Sequence, residues 1–208
     1  MPEFPRHDPA DPQFWDLRYQ ASFAPWDAGR VPAQLAQFAK DPRGRVLVPG
    51  CGSAWDVRCF VESGWDVLGI DFSEEALAAA RAVLGPHGER VRRADFFAPI
   101  PESPFDVVYE RAFLCALPRR LWSAWSARVS ELVNPYGHLA GFFYFDAGGA
   151  PDGDSIRTAV RGPPFALRDD AELAGLLAST FTRIADAPVP DSIPVFQGKE
   201  RWQVWQRR

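Results

Sequence analysis

The segment RVLVPGCGSAWDV (45–57) decides the fold. Its opening RVLVP is a short, nearly continuous apolar run ending at Pro49-Gly50, the pattern of a strand buried on both faces of a parallel sheet. Gly50 and Gly52 then allow backbone and ligand to approach closely, and residues 54–63 read as a helix stopped by Gly64. Toward the C-terminus, WDVLGID (65–71) alternates as a second strand ending at Asp71. Ser73 caps the next helix, whose Ala76, Leu77, Ala80, Val83 and Leu84 share one face until Gly85-Pro86 breaks it. Strands follow at 90–95 and 105–110, then a helix with Leu121, Trp122, Trp125, Val129 and Leu132 on one side, then an apolar strand over 138–145. Such alternation predicts a doubly wound α/β fold with right-handed crossovers and helices on both faces of a parallel sheet. Residues 146–168 read as a polar, Gly/Pro-rich surface loop or lid, 169–178 as a helix, and 180–188 and 200–206 as late strands.

The chain has 208 residues, 47% hydrophobic and 24% charged, which suits one domain over 1–208 with an N-terminal helical and aromatic segment (1–40) and a core (41–208). A net charge of -4 excludes the basic footprint of a nucleic-acid or anionic-membrane binder, so the expected partner is a small molecule; a monomer is the expected state, on which composition and spacing are silent. No apolar run approaches the ~18 residues of a membrane span, and the N-terminus carries no signal-peptide pattern. Cys51, Cys59 and Cys115 form no CxxC pair, which fits a reducing cytoplasm. His7, His87 and His138 are scattered, so neither a metal site nor a nucleophile-base pair is expected and no general base is assigned. Asn134-Pro135-Tyr136 follows a helix rather than the fourth strand and reads as a turn.

In open α/β sheets ligands bind beyond the carboxyl ends of the strands. There the first strand offers Gly50 and Gly52. The second ends at Asp71, whose carboxylate can accept from the two hydroxyls of a ribose. The third ends at Asp95-Phe96, where a carboxylate and a backbone N–H suit the edge of an adenine, although Asp95 could equally cap a turn. Together they imply an adenosine-type ligand. A dinucleotide site wants a third glycine for close helix packing, and Trp55 stands there instead, so a phosphate-free adenosine such as S-adenosylmethionine is favoured.

The chain resembles the thiopurine S-methyltransferase family, especially its thiol, thiocyanate and halide methyltransferase branch. The resemblance lies in FWDLRY (14–19), PWDAGRVP (25–32), VLVPGCGSAWDV (46–57), VLGIDFS (67–73), ADFF (94–97), FDVVYERAFLCALP (105–118), GPPF (162–165) and SIPVFQGKERW (192–202). It implies a seven-stranded Rossmann-like class I methyltransferase sheet with a reversed last strand, and an N-terminal segment over the cofactor. By the same resemblance Trp15, Tyr19, Trp26, Gly50, Asp71, Asp95, Phe96 and Arg111 contact S-adenosylmethionine. Arg111 departs from the plant members, which carry tyrosine there; it could attract an anionic substrate or pair with Asp16, Asp27 or Glu110. The implied activity is methyl transfer to a small nucleophile, most often sulfur. An oxygen or nitrogen acceptor, or a protein that binds S-adenosylmethionine without turning it over, are the alternatives. Charges cancel when a thiolate meets a sulfonium, so a dry site helps, and Trp15, Tyr19 and Trp26 could hold the cation or simply seal the site.

Overall fold

The computed structural model describes residues 2–42, 44–148 and 163–208. Two short helices, α1 (Pro12–Gln20) and α2 (Ala33–Phe38), precede strand β1 (Arg45–Pro49). Then come α3 (Trp55–Glu62), β2 (Asp66–Asp71), α4 (Glu74–Leu84), β3 (Val91–Arg93), β4 (Phe105–Arg111), α5 (Trp122–Leu132), β5 (Val133–Tyr144), α6 (Asp170–Leu177), β6 (Phe181–Pro188) and β7 (Glu200–Arg207). The described strands form one seven-stranded sheet in the order β3-β2-β1-β4-β5-β7-β6. β1 pairs in parallel with β2 and β4, while β7 runs antiparallel between β5 and β6. The reversed last strand is therefore present. The strand order reverses at β1 and β4, which leaves a crevice at their carboxyl ends.

Successive strand residues face opposite layers, and this splits the core in two. Leu47, Val108, Leu139 and Phe143 pack with Trp125, Val129 and Leu132 of α5 and with Leu173 and Leu177 of α6. Val46, Val48, Val107 and Phe142 pack with Val57 and Phe60 of α3, Leu77 and Ala80 of α4, and Leu35 of α2. β1 is buried almost throughout, which is why it reads as an apolar run rather than an alternation.

Local chemistry sets the helix ends. The Ser73 hydroxyl accepts from the Ala76 N–H at 3.1 Å, and Glu74 and Glu75 lie in the first turn of α4, where negative charge meets the positive end of the helix. α3 closes on Gly64 at φ +85°, with Gly64 N–H donating to Val61 and Trp65 N–H donating to Phe60, each at 3.0 Å. Trp65 belongs to this closure rather than to β2. Its ring meets Phe60 edge-on at 5.5 Å and its Nε1 donates to the Ala39 carbonyl at 2.9 Å, which ties the chain after α2 to the end of α3.

Three other readings change. The Asn134-Pro135-Tyr136 turn lies inside β5, as an irregularity where the pairing steps from Phe105–Val133 to Val107–His138 and Tyr136 takes φ +63°. The third strand shrinks to Val91–Arg93, because Arg90 ends a 3-10 turn and Asp95 lies beyond the pairing. Of the loop read over 146–168, residues 149–162 lie outside the described residues, and its end is not a polar surface. Phe165, Ala166 and Leu167 are buried, and Leu167 bridges to Phe145.

Gly64→Ala adds a Cβ with nothing within 4 Å of it, so only the left-handed backbone opposes the change. Urea unfolding should show a loss of about 1–2 kcal/mol with methyl transfer unchanged; equal midpoints would mean that this closure does not strain a side chain.

Candidate active site

A cavity of about 330 Å³ opens at the carboxyl ends of β1, β2, β3 and β4. Trp15, Tyr19, Trp26, Gly50, Asp71, Asp95, Phe96 and Arg111 all line it. The structure thus brings together every residue singled out from sequence. It adds Asp27, Ser53, Asp56, Phe113 and the pair Pro163-Pro164. Asp27, Asp56 and Phe113 sit within motifs quoted above, but nothing in their spacing says that they face inward.

The floor is the turn after β1. Gly50 and Gly52 take φ +57° and +51°, and Ala54 follows at +64°. A Cβ on Gly50 would stand 2.4 Å from the Phe113 ring, so this glycine is required by close approach as well as by backbone conformation. The Gly52 N–H donates to Asp71 Oδ2 at 3.0 Å, and the Ser73 N–H donates to Asp71 Oδ1 at 3.0 Å. The Asp71 carboxyl is buried, which raises its pKa to about 6 against the backbone donors of Ser73, Gly52 and Phe72. A carboxylate has about four acceptor positions, so the backbone donors do not fill it and it can still accept from a ligand.

Asp95 caps its own turn, with Oδ1 accepting from the Phe97 N–H at 2.9 Å, and it still faces the cavity. The Phe96 ring is buried and stacks edge-on against Phe97 and Phe113. At the far end Arg111 is held not by Asp16, Asp27 or Glu110 but by Asp56, with Nη1 and Oδ1 3.4 Å apart. β4 alternation explains it: Glu110 points the other way and accepts from the Phe113 and Leu114 N–H groups at 3.0 Å. Burial acts to lower the Arg111 pKa, but Asp56, Tyr109 and Glu200 outweigh it and hold the guanidinium above its ordinary value.

The roof is the N-terminal segment. Trp26 meets Trp15 edge-on at 5.4 Å and Tyr19 at 6.2 Å, and Trp15 Nε1 donates to the Pro9 carbonyl at 2.8 Å. Burial pushes the Tyr19 phenol well up, so it stays a neutral donor. α1 is latched to the start of α4 through Asp16, which accepts from the Ser73 hydroxyl at 2.5 Å and from the Glu75 N–H at 3.3 Å. Among the described residues no group of three or more His, Cys, Asp or Glu could hold a metal.

Asp16→Ala should free α1 from α4. Trypsin should then cut after Arg18 several times faster while global stability falls by only about 1 kcal/mol, the worth of one cap; an unchanged cutting rate would mean that Asp16 does not hold the roof.

The sequence pattern of the thiopurine S-methyltransferase family matches residues 10–208. Thiocyanate methyltransferase 1 of Arabidopsis thaliana is 30% identical over 200 residues, covering 93% of this chain and 84% of its own. A thiopurine S-methyltransferase of Xanthobacter autotrophicus is 26% identical over 207 residues, covering 88% and 92%. Among solved structures, the Burkholderia thailandensis 1,6-didemethyltoxoflavin-N1-methyltransferase, with S-adenosylhomocysteine bound, superposes with a TM-score of 0.72 at 20% identity over 99% and 93% of the two chains, a likeness of fold. The chain therefore belongs to the thiopurine S-methyltransferase family and is an S-adenosylmethionine-dependent methyltransferase.

Proposed function

We propose that this cavity holds S-adenosylmethionine against the turn after β1 and passes its methyl group to a small sulfur nucleophile arriving beneath the N-terminal roof. The observation that carries the reading is the convergence of Gly50, Asp71, Asp95 and the aromatic trio on one cavity. Its donor set suits this ligand. Among the described residues Asp27, Asp56, Asp71 and Asp95 face two guanidinium groups, Arg30 and Arg111, so this part of the wall favours a net cation and offers no free cationic cluster for phosphates.

When bound, S-adenosylmethionine supplies an electrophilic methyl group on a sulfonium. The chain's own part is to hold, orient and dry. Asp71 is assigned the ribose hydroxyls, Asp95 and the Phe96 backbone the adenine, and the Gly50–Gly52 backbone the methionine portion. Trp15, Tyr19 and Trp26 are assigned to the sulfonium end, where a desolvated aromatic face attracts a cation by about 0.5–2 kcal/mol. Arg111, placed at the ligand by resemblance, stands at the acceptor end. Alignment and water exclusion then supply the rate, and no side chain needs to act as a nucleophile. We read residues 1–208 as one catalytic domain working as a monomer. A cytoplasmic setting agrees with three free cysteines and with the lack, among the described residues, of a helix long and apolar enough to cross a membrane.

Asp71 gives the reading a pH signature. Ribose hydroxyls donate to the ionised carboxylate, and the free protein's Asp71 titrates at about 6. Affinity for S-adenosylmethionine should therefore be flat at neutral pH and fall as pH drops through about 6. Asp71→Ala should cost about 1.5–3 kcal/mol of affinity at neutral pH, and Asp71→Asn should flatten the pH profile. Calorimetry showing wild-type affinity in both variants would remove Asp71 from the site. A labelled-methyl assay over thiols, thiopurines, thiocyanate, iodide and phenols tests the acceptor; transfer to phenols alone would overturn the sulfur assignment.

A further inference from the structure

The charges on the cavity wall narrow the acceptor class, an inference that rests on reading this cavity as the methyl-transfer site. Among the described residues, the two guanidinium groups facing the cavity are already engaged by carboxylates of the chain: Arg30 by Asp191 at 2.9 Å and Arg111 by Asp56 at 3.4 Å. The second pair is the enclosed one, with Arg111 and Asp56 side chains 13% and 16% exposed. Behind it the buried Glu200 adds a further acid acting on Arg111, and the guanidinium lies over the Phe142 ring at 5.2 Å. Among the described residues, four carboxylates against two engaged guanidinium groups leave the wall negative. A bound S-adenosylmethionine brings a sulfonium, an ammonium and a carboxylate, one net positive charge, and so offsets only part of that excess. A small anion leaving water needs a free cation or unpaired donors to replace its hydration. Among the described residues the wall has no guanidinium free of a carboxylate partner.

We propose that Asp56 sets the acceptor class: by occupying Arg111 it closes the cavity to inorganic anions such as thiocyanate and iodide and leaves it selective for thiols that enter in the neutral S–H form. A neutral thiol meets no repulsion on entry. Once seated beside the sulfonium the thiol gives its proton to water at the cavity mouth, the electron pair of the resulting thiolate forms the new S–CH₃ bond, and the pair of the broken bond stays on the donor sulfur. Asp56 is thus a specificity-determining residue that acts through Arg111.

The test reads anion binding without turnover. The full chain, saturated with S-adenosylhomocysteine, is titrated calorimetrically with sodium thiocyanate. The wild type should show no saturable millimolar binding, Asp56→Asn should bind at least about tenfold more tightly, and Asp56→Asn with Arg111→Met should lose the gain. In turnover, kcat/KM for thiocyanate relative to 2-mercaptoethanol should rise about tenfold in Asp56→Asn. Wild-type protein that binds thiocyanate as tightly as Asp56→Asn, or methylates it as well as the thiol, overturns the inference. Should Asp56→Asn fail to fold, as judged by its melting curve, the wild-type titration and turnover ratio decide alone. Wild-type protein that does not bind S-adenosylhomocysteine removes the reading of the cavity itself; normal binding with good thiocyanate turnover removes only the role of Asp56.

Discussion

The buried carboxylate of Asp71 is the joint on which the site depends. It ends β2, and its two oxygens take backbone N–H groups from the turn after β1 and from the cap of α4. Without such an acceptor the turn at Gly50–Gly52 would leave an inward N–H unpaired, a loss worth about 1–3 kcal/mol. The same α4 cap, Ser73, donates its hydroxyl to Asp16 of α1. One carboxylate therefore connects the sheet, the floor and, through a single intermediate residue, the roof. Burial holds its pKa near 6, above the ordinary carboxylate range, so the joint is costly when ionised and no ligand is present. A ligand that donates hydrogen bonds there relieves that cost.

The roof and walls divide the remaining work. Trp15, Tyr19 and Trp26 form an edge-to-face cluster that covers one side of the cavity with polarisable faces. The walls carry charge, but most of it is already engaged. Arg111 with Asp56, and Arg30 with Asp191, show how a cavity that looks charged in a residue inventory can offer few unengaged charges to a ligand. Truncating either member of the enclosed Arg111–Asp56 pair would leave the other an uncompensated charge away from water, a loss of about 3–5 kcal/mol.

The elements legible in the sequence were those whose signal is local. The β1 run, the Ser73 cap, the Gly64 stop and the apolar face of α5 each follow from side-chain periodicity or backbone conformation within a few residues, and all of them stand where they were read. Where the reading slipped, a distant partner decided. Trp65 left its strand because the Ala39 carbonyl and Phe60 claim it. Asn134-Pro135-Tyr136 was absorbed into β5 because pairing with β4 continues on either side of it. Phe165-Ala166-Leu167 was drawn into the core by β5 despite its glycine- and proline-rich surroundings.

For the site, spacing along the chain determined which strand ends carry glycine or carboxylate, because strands and crossovers impose that order before any folding is considered. The aromatic roof entered by family likeness, since its residues belong to no regular period. Only the tertiary structure decided which side chains meet across the cavity. The partner of Arg111 is 55 residues away at the start of α3, and Asp16 finds Ser73 across 57 residues. No periodicity reports such meetings, because they are set by how helices pack on the two faces of the sheet.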